Sequence, residues 1–318
     1  MSPPTSKGDH FDGQRHFNPV GHQPRPFAAV PRMLREPRAA WPAAVPVMPQ
    51  VPPALDGAAA VVTFIGHSTF LIQSAGGALI TDPMFGRRAG PFNLVGPRRV
   101  RQPGVRFEDL PPIRTILLSH NHYDHCDLGT LRRLARRFDP TVVTLAGNAR
   151  LVKSAGIRHI VELDWWESTE VRRVDIMATP AQHFSARTPW DRNRALWGGF
   201  TFVVGGKRIY FAGDTGYVPI FSRIRQRAGR IDLALLPIGA YEPRWFMQAV
   251  HMNPAEAVQA HMELDATYSI GMHFGTFRLT SEGIDDPLRH LDDACRAHGI
   301  PPERFRTLAF GESLALTR

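Results

Sequence analysis

Cysteine is nearly missing from this chain: Cys126 and Cys295 are the only two in 318 residues. That count excludes a disulfide framework and makes a reducing compartment the simpler setting. Lysine is scarce too. Lys7, Lys153 and Lys207 are the only lysines, so arginine carries almost all of the basic charge behind the formal +9. No apolar run approaches the roughly 18 residues of a membrane-crossing helix. Met1–His10 is polar and proline-bearing, without the apolar core of a signal peptide. A soluble, cytoplasmic protein is expected. Arginine forks suit phosphate and other anions, but arginine richness alongside frequent Ala, Gly and Pro also follows from genomic composition. Charge alone therefore assigns no function. No interleaved aromatic and basic motif for bases is present, so a nucleic-acid partner is not expected. With 43% hydrophobic residues there is ample material for a large core.

What is there divides into two parts. Residues 1–54 hold twelve of the 28 prolines and show no periodic apolar pattern. They read as an extended arm. Phe17, Phe27, Met33, Leu34, Trp41, Val45 and Val47 are scattered through it as anchors onto a folded body, 55–318. The first dozen or so residues are expected to be mobile. From Val61 onward short strands are predicted at Val61–Ile65, Thr69–Gln73, Ala78–Thr81, Arg114–Ser119, Thr141–Leu145, Val171–Ala178, Phe200–Val204, Arg208–Phe211, Leu233–Leu236 and Thr267–Gly271. Helices are predicted near Ala149–Ala155, Pro219–Ala228, Ala255–Leu264 and Pro287–His298. Another is capped by Asp127, with Leu128, Leu131, Leu134 and Phe138 on one face. Asn253, Pro254 and Glu256 together form a strong helix start. Early hairpins followed by alternating strands and helices suit two sheets packed face to face with helices outside.

The chemistry concentrates in His120-Asn121-His122-Tyr123-Asp124-His125, directly after the apolar Ile116-Leu117-Leu118. Imidazole is a ligand suited to zinc, and carboxylate suits zinc or harder ions. His120 and His122, two apart on an extended segment, point the same way and can grip one ion. Asp124 and His125 can swing toward a second as the chain turns into the next helix. The remaining ligands should lie at the ends of other strands. His183, Asp214 and His273 each follow an apolar run, where a loop projects a polar group from a rigid scaffold. A lone histidine is more often structural than a ligand; this joint pattern points to a metal site.

At this point the residues resemble a known superfamily. HNHYDH is similar to the HxHxDH signature of the metallo-β-lactamase fold. The resemblance implies an α+β, four-layer αβ/βα sandwich with two metals per chain. In that pattern His120, His122 and His183 hold one ion, Asp124, His125 and His273 the other, and Asp214 bridges both. Zinc is expected, with iron or manganese compatible with the same ligands. Gly66-His67-Ser68-Thr69, Thr81-Asp82-Pro83, Gly96-Pro97-Arg98-Arg99, Pro180-Ala181-Gln182-His183, the segments Phe211–Tyr217 and Ile238–Met247, His273-Phe274-Gly275-Thr276-Phe277 and the arm fragment Phe17-Asn18-Pro19 further resemble the N-acyl-phosphatidylethanolamine phospholipase D family. Ser68 stands where that family more often has alanine, and Phe274 where tryptophan is familiar.

The family likeness implies a phospholipase D-type phosphodiesterase releasing phosphatidic acid and an N-acylethanolamine. Two ions about 3.5–4 Å apart can share a hydroxide and hold the attacking and leaving oxygens. Asp124 and His251 are the candidate catalytic groups; His251 reads equally as a helix-start histidine. His67 and Asp82 are expected to fix ligand tautomers. Arg98, Arg99 and Arg101 are candidates for meeting phosphate, with a solvated basic loop as the plainer reading. Tyr241, Trp245, Phe246 and Met247 are candidates for an acyl groove, with core packing as the default. The alternative is a hydrolase of a soluble ester, lactone or phosphodiester on the same metals, separated from the first reading by whether an apolar wall lies beside the ligands. A peripheral membrane contact is open, and so is a homodimer.

Overall fold

The computed structural model describes residues 9–317. The arm carries one short helix, α1 (Val30–Arg35). The body begins with β1 (Ala60–Gly66), β2 (Thr69–Ser74), β3 (Gly77–Thr81), β4 (Ile113–Leu118), α2 (Leu128–Phe138), β5 (Thr141–Leu145), α3 (Ala149–Ser154) and β6 (His159–Leu163). It continues through β7 (Ser168–Val171), β8 (Val174–Thr179), β9 (Gly199–Val204), β10 (Lys207–Phe211), α4 (Phe221–Ala228) and β11 (Leu233–Pro237). The last elements are α5 (Arg244–Met247), α6 (Pro254–Leu264), β12 (Tyr268–Met272), α7 (Asp286–Ala297), β13 (Phe305–Thr307) and β14 (Ser313–Leu316).

The strands form two seven-stranded sheets, ordered β14-β1-β2-β3-β4-β5-β6 and β13-β12-β11-β10-β9-β8-β7. Each is mixed. β3 to β6 run parallel and β14 to β3 antiparallel, while β10 to β13 run parallel and β7 to β10 antiparallel. Because successive strand residues face opposite ways, the first sheet divides its side chains between two cores. Val62, Phe64, Phe70, Ile72, Leu117 and Val143 meet Trp197, Phe200, Phe202 and Tyr210 between the sheets. Ile65, Leu71, Ile116, Leu118 and Val142 face the other way, onto Leu131, Leu134 and Val152 of α2 and α3. This is the αβ/βα sandwich expected from the sequence.

Local signals place the helices that frame the site. Asp127 accepts from Gly129 N at 3.0 Å, the N-cap of α2. Asn253 and Glu256 form a reciprocal capping box at α6. Three expectations are corrected. The strand predicted over Val171–Ala178 is a hairpin, β7 turning into β8 at Arg172 and Arg173, both with positive φ. Arginine is unusual in such a turn, which normally announces itself by Asn or Gly. The arm is not wholly extended, since α1 interrupts it. β6, β13 and β14 are not among the predicted strands; all three are short edge strands.

The arm lies along the body. His10 Nε2 is 2.7 Å from Asp164 Oδ1, Trp41 Nε1 donates to Glu282 O at 2.9 Å, and Val45 bridges Arg101. Of the stretch expected to be mobile, residues 1–8 lie outside the described residues, while His10 is buried. We propose the arm-to-body division at 54/55, just before the turn at Asp56-Gly57 that leads to β1. Cys126 and Cys295 are both buried and free. Among the described residues no helix is long and apolar enough to cross a membrane.

Candidate metal centre

The chemistry-bearing side chains meet at one edge of the sandwich, past the ends of six strands. β1 leads to His67, β3 to Asp82, β4 to His120–His125, β8 to His183, β10 to Asp214 and β12 to His273. Strand ends are rigid, and the loops beyond them can hold polar groups that the core could not.

Two groups of ligand atoms converge there. In the first, His120 Nε2 and His183 Nε2 stand 2.9 and 3.2 Å from His122 Nδ1. Asp214 Oδ2 lies 3.9 and 3.8 Å from the His120 and His183 nitrogens. In the second, Asp214 Oδ2 is 3.1 Å from His125 Nε2 and 3.2 Å from His273 Nε2. Asp124 Oδ2 is 3.6 and 3.4 Å from the same two nitrogens. Ligand atoms about 2.0–2.1 Å from a tetrahedral ion stand about 3.3 Å apart. Both groups match that spacing, and Asp214 Oδ2 belongs to both.

The outer nitrogens explain why the inner ones point inward. His183 Nδ1 donates to Val250 O at 2.9 Å. His125 Nδ1 donates to Asp82 Oδ2 at 2.6 Å. Ser119 Oγ donates to the same Asp82 oxygen at 2.6 Å, so its lone pair is left to accept from His120 Nδ1 at 2.9 Å. Each tautomer is thereby fixed with a bare Nε2 lone pair facing the others. Lone pairs at these separations repel unless a cation stands among them. His125 Nε2, His273 Nε2 and Asp214 Oδ1 are buried and have no hydrogen-bond partner. The donor set therefore fits two divalent ions.

The electrostatics agree. Burial pushes the His120 imidazole well below its ordinary range, His122 to about 3 and His183 to about 4. Burial acts the same way on His125 and His273, but Asp214 and Asp124 outweigh it, raising His125 well above its usual range and His273 to about 9. Burial works against ionising Asp124 and Asp214, yet His125 and its neighbours hold both well below the usual carboxylate range. Two buried anionic carboxylates thus draw positive charge into the site, which protons or metal ions can supply.

The other candidates divide. His251 faces the ligands, with Nε2 3.9 Å from Asp214 Oδ2 and its ring 5.1 Å from that of His183. Burial keeps it neutral. His67 Nε2 donates to Asp124 Oδ2 at 3.0 Å and aims that carboxylate. Asp82 anchors both His125 and Ser119. Phe246 belongs to a small apolar cluster with Met247, Val250, Phe184 and Leu279. Phe184 also stacks edgewise on His122 at 4.5 Å, so an apolar wall does lie beside the site. Arg98 is exposed.

Three placements correct the expected substrate contacts. Arg99 is buried, and its guanidinium donates to Met84 O, Gly86 O and Arg101 O at 2.6, 2.9 and 3.4 Å. It fastens a loop and is not free to meet phosphate. Tyr241 is buried with its hydroxyl 2.8 Å from His290 Nδ1. Trp245 is held by the arm, donating to Glu36 Oε1 at 2.9 Å beneath the Arg32 guanidinium. Arg99→Met should accordingly cost on the order of 3 kcal/mol in chemical denaturation by stranding three carbonyls. The KM of the folded fraction should stay near its original value; a raised KM with unchanged stability would reverse this assignment.

Two residues escaped the sequence reading. Ser119, at the end of the strand that leads to the cluster, links Asp82 to His120. Asn18, noted only within an arm motif, clamps a ligand backbone: its Nδ2 donates to His183 O at 2.8 Å and its Oδ1 accepts from His183 N at 3.3 Å. Separations of 165 residues leave no local signal. Asn18→Ala should weaken metal retention about tenfold, measured by titration against a competing chelator. Unaltered affinity would reduce Asn18 to a stabiliser of the arm.

Residues 78–274 match the family model described as the beta-lactamase superfamily domain. The chain belongs to that superfamily and is a metal-dependent hydrolase. It is 37% identical over 266 residues to N-acyl-phosphatidylethanolamine-hydrolyzing phospholipase D 1 of Caenorhabditis elegans, covering 79% of this chain and 74% of that one. It is 36% identical to the mitochondrial N-acyl-phosphatidylethanolamine-hydrolyzing phospholipase D of Saccharomyces cerevisiae over 72% of this chain, spanning half of the yeast protein. Among solved structures, Igni18, a metallo hydrolase from Ignicoccus hospitalis, superposes with a TM-score of 0.59 at 19% identity, covering 81% of this chain and 99% of that one.

Proposed function

We propose that this protein is a dinuclear, zinc-dependent phosphodiesterase of the phospholipase D type. It hydrolyses N-acyl-phosphatidylethanolamine-like lipids to phosphatidic acid and an N-acylethanolamine. The observation that carries the two-ion part is Asp214 Oδ2, common to both ligand groups. The named activity of the nematode and yeast relatives supports the substrate class, as does the apolar wall of Phe184, Phe246 and Leu279 beside the ligands.

His120, His122 and His183 would hold one ion, His125, His273 and Asp124 the other, with Asp214 between them. Such ions supply Lewis acidity, activating water and neutralising charge on the phosphoryl oxygens. The chain's own residues do the rest. Hydrolysis breaks the bond between phosphorus and the ethanolamine oxygen; water gives OH to phosphorus and a proton to the leaving oxygen. Asp124, aimed by His67, is placed to accept the proton from attacking water. His251, a neutral imidazole at the same edge, is placed to relay that proton to the leaving oxygen, taking it on one ring nitrogen as the other gives up its own. Phe184, Phe246 and Leu279 exclude water from one side.

The test is mass spectrometry of products from the metal-analysed protein incubated with N-acyl-phosphatidylethanolamine, phosphatidylethanolamine and phosphatidylcholine. Phosphatidic acid and N-acylethanolamine should form, be lost on chelation and return with zinc. No cleavage by protein holding its full metal complement would transfer the assignment to a soluble ester, lactone or phosphodiester.

A further inference from the structure

Residues 87–99 form a hairpin that the chemistry above does not use. Ala89 N donates to Pro97 O at 3.0 Å, Arg99 N donates to Arg87 O at 2.8 Å, and Arg88 bridges Arg98. The buried Arg99 roots it in the body. At its tip Phe92 and Asn93 take positive φ, 55° and 60°, a conformation unfavourable for a bulky side chain. The neck is crowded, since a Cβ on Gly90 would stand 2.1 Å from Val95 O. The result thrusts apolar side chains into solvent. Phe92 is 91% exposed, Leu94 75% and Val95 63%. Asn93 Nδ2 donates to Asp127 Oδ1 at 3.0 Å, tying the tip to the start of α2, just after the HNHYDH segment.

A second apolar point stands nearby. Trp190 is 76% exposed on the turn that Asp191 closes by accepting from Arg187 N and Thr188 N. Arg187 of that turn, Phe92 of the hairpin and Tyr123 of the metal segment line one cavity of about 370 Å³. Arg132 lines it as well, and Arg87 and Arg98 sit exposed at the hairpin neck. Among the described residues none of Arg87, Arg98 and Arg132 is paired with a carboxylate.

From this surface we infer that the hairpin tip and Trp190 dock the protein onto a membrane bearing anionic phospholipid headgroups, beside the entrance to the metal centre. A convex apolar tip fits a deformable interface, and soluble proteins seldom leave such side chains bare. Arg87 and Arg98, five residues from Phe92 and Asn93, lie at most about 17 Å behind the tip at strand spacing. An apolar face buried about 5–10 Å places cations at headgroup depth. Tryptophan is the residue favoured at that boundary. The inference rests on the lipid-substrate reading, but docking is measured without turnover.

Flotation of the full chain with vesicles of equimolar phosphatidylcholine and phosphatidylglycerol, against phosphatidylcholine alone, tests it. The wild type should float with the anionic vesicles, and salt should weaken the binding. Phe92→Ser with Leu94→Ser and Trp190→Ser should weaken it at least about tenfold, with thermal stability unchanged. Arg87→Gln with Arg98→Gln should erase the preference for anionic vesicles. Binding by a protein that cleaves no phospholipid would leave the docking standing and sink the substrate reading. Cleavage of detergent-dispersed lipid by a protein that ignores vesicles, or equal binding by the serine variants, would overturn the docking. So would a dimer in ultracentrifugation that the serine variants dissolve, which would assign the tip to a second copy.

Discussion

Replacing Asp214 by Asn should leave a folded protein holding at most about one metal ion per chain and turning over at least about a thousandfold more slowly. Two double charges about 4 Å apart repel by roughly 16 kcal/mol at an effective dielectric of 20. An anion between them is what makes joint occupancy tolerable, and among the described residues Asp214 Oδ2 is the one oxygen within 3.1–3.9 Å of four imidazole nitrogens from both groups. Asparagine keeps the volume and removes the charge. Losing several kcal/mol of charge stabilisation corresponds to the expected drop, at about 1.4 kcal/mol for each tenfold. Metal analysis beside kcat checks it. A variant with two metals per chain and undiminished turnover would refute the dinuclear reading.

Asp82→Asn should have the second-largest effect, though Asp82 is not among the expected ligands. Its carboxylate accepts three times, from Ser119 N, Ser119 Oγ and His125 Nδ1, at 2.8, 2.6 and 2.6 Å. An amide has one acceptor oxygen. Its NH2 would oppose the His125 Nδ1 proton and the Ser119 hydroxyl on one side, or the Ser119 N–H on the other, and the relief on the first side is a flipped His125 tautomer with a proton on the ligating Nε2. Metal affinity should fall about 10- to 100-fold. A cobalt-loaded sample should show the change in its visible spectrum before any loss of secondary structure. An unchanged spectrum and affinity would mean that the imidazole is oriented by packing alone.

The sequence was most informative where chemistry is local. His120 to His125 lie within one turn of chain after an apolar strand, so both the cluster and its place at a strand end were legible. His183, Asp214 and His273 were legible for the same reason: each follows a short, largely apolar run that reads as a strand. Partners set by tertiary contact were not. Asn18 reaches His183 across the whole first sheet's worth of sequence, and Val250 contributes only a carbonyl, which has no residue identity to read. Arg99 misled because exposed and buried arginines look alike in a motif; it is held by Phe277, far off in sequence, and by the carbonyls of Met84, Gly86 and Arg101. For Tyr241 the default of core packing is what the structure shows, and Trp245 packs against the arm. The β7–β8 turn was hidden by two arginines at positions that usually carry Asn or Gly.

The arm's grip on His183 ties the candidate metal centre to a segment outside both sheets. Segments held by few contacts open before a packed core does, and here the carboxamide of Asn18 closes around the backbone of a candidate ligand. A fusion partner or a protease cut upstream of Asn18 would therefore be felt at the metal before it was felt in the core. An early sign of damage would be ions lost from a still-folded sandwich. Storage lifetime of such preparations should follow the integrity of the arm more closely than the melting temperature of the body.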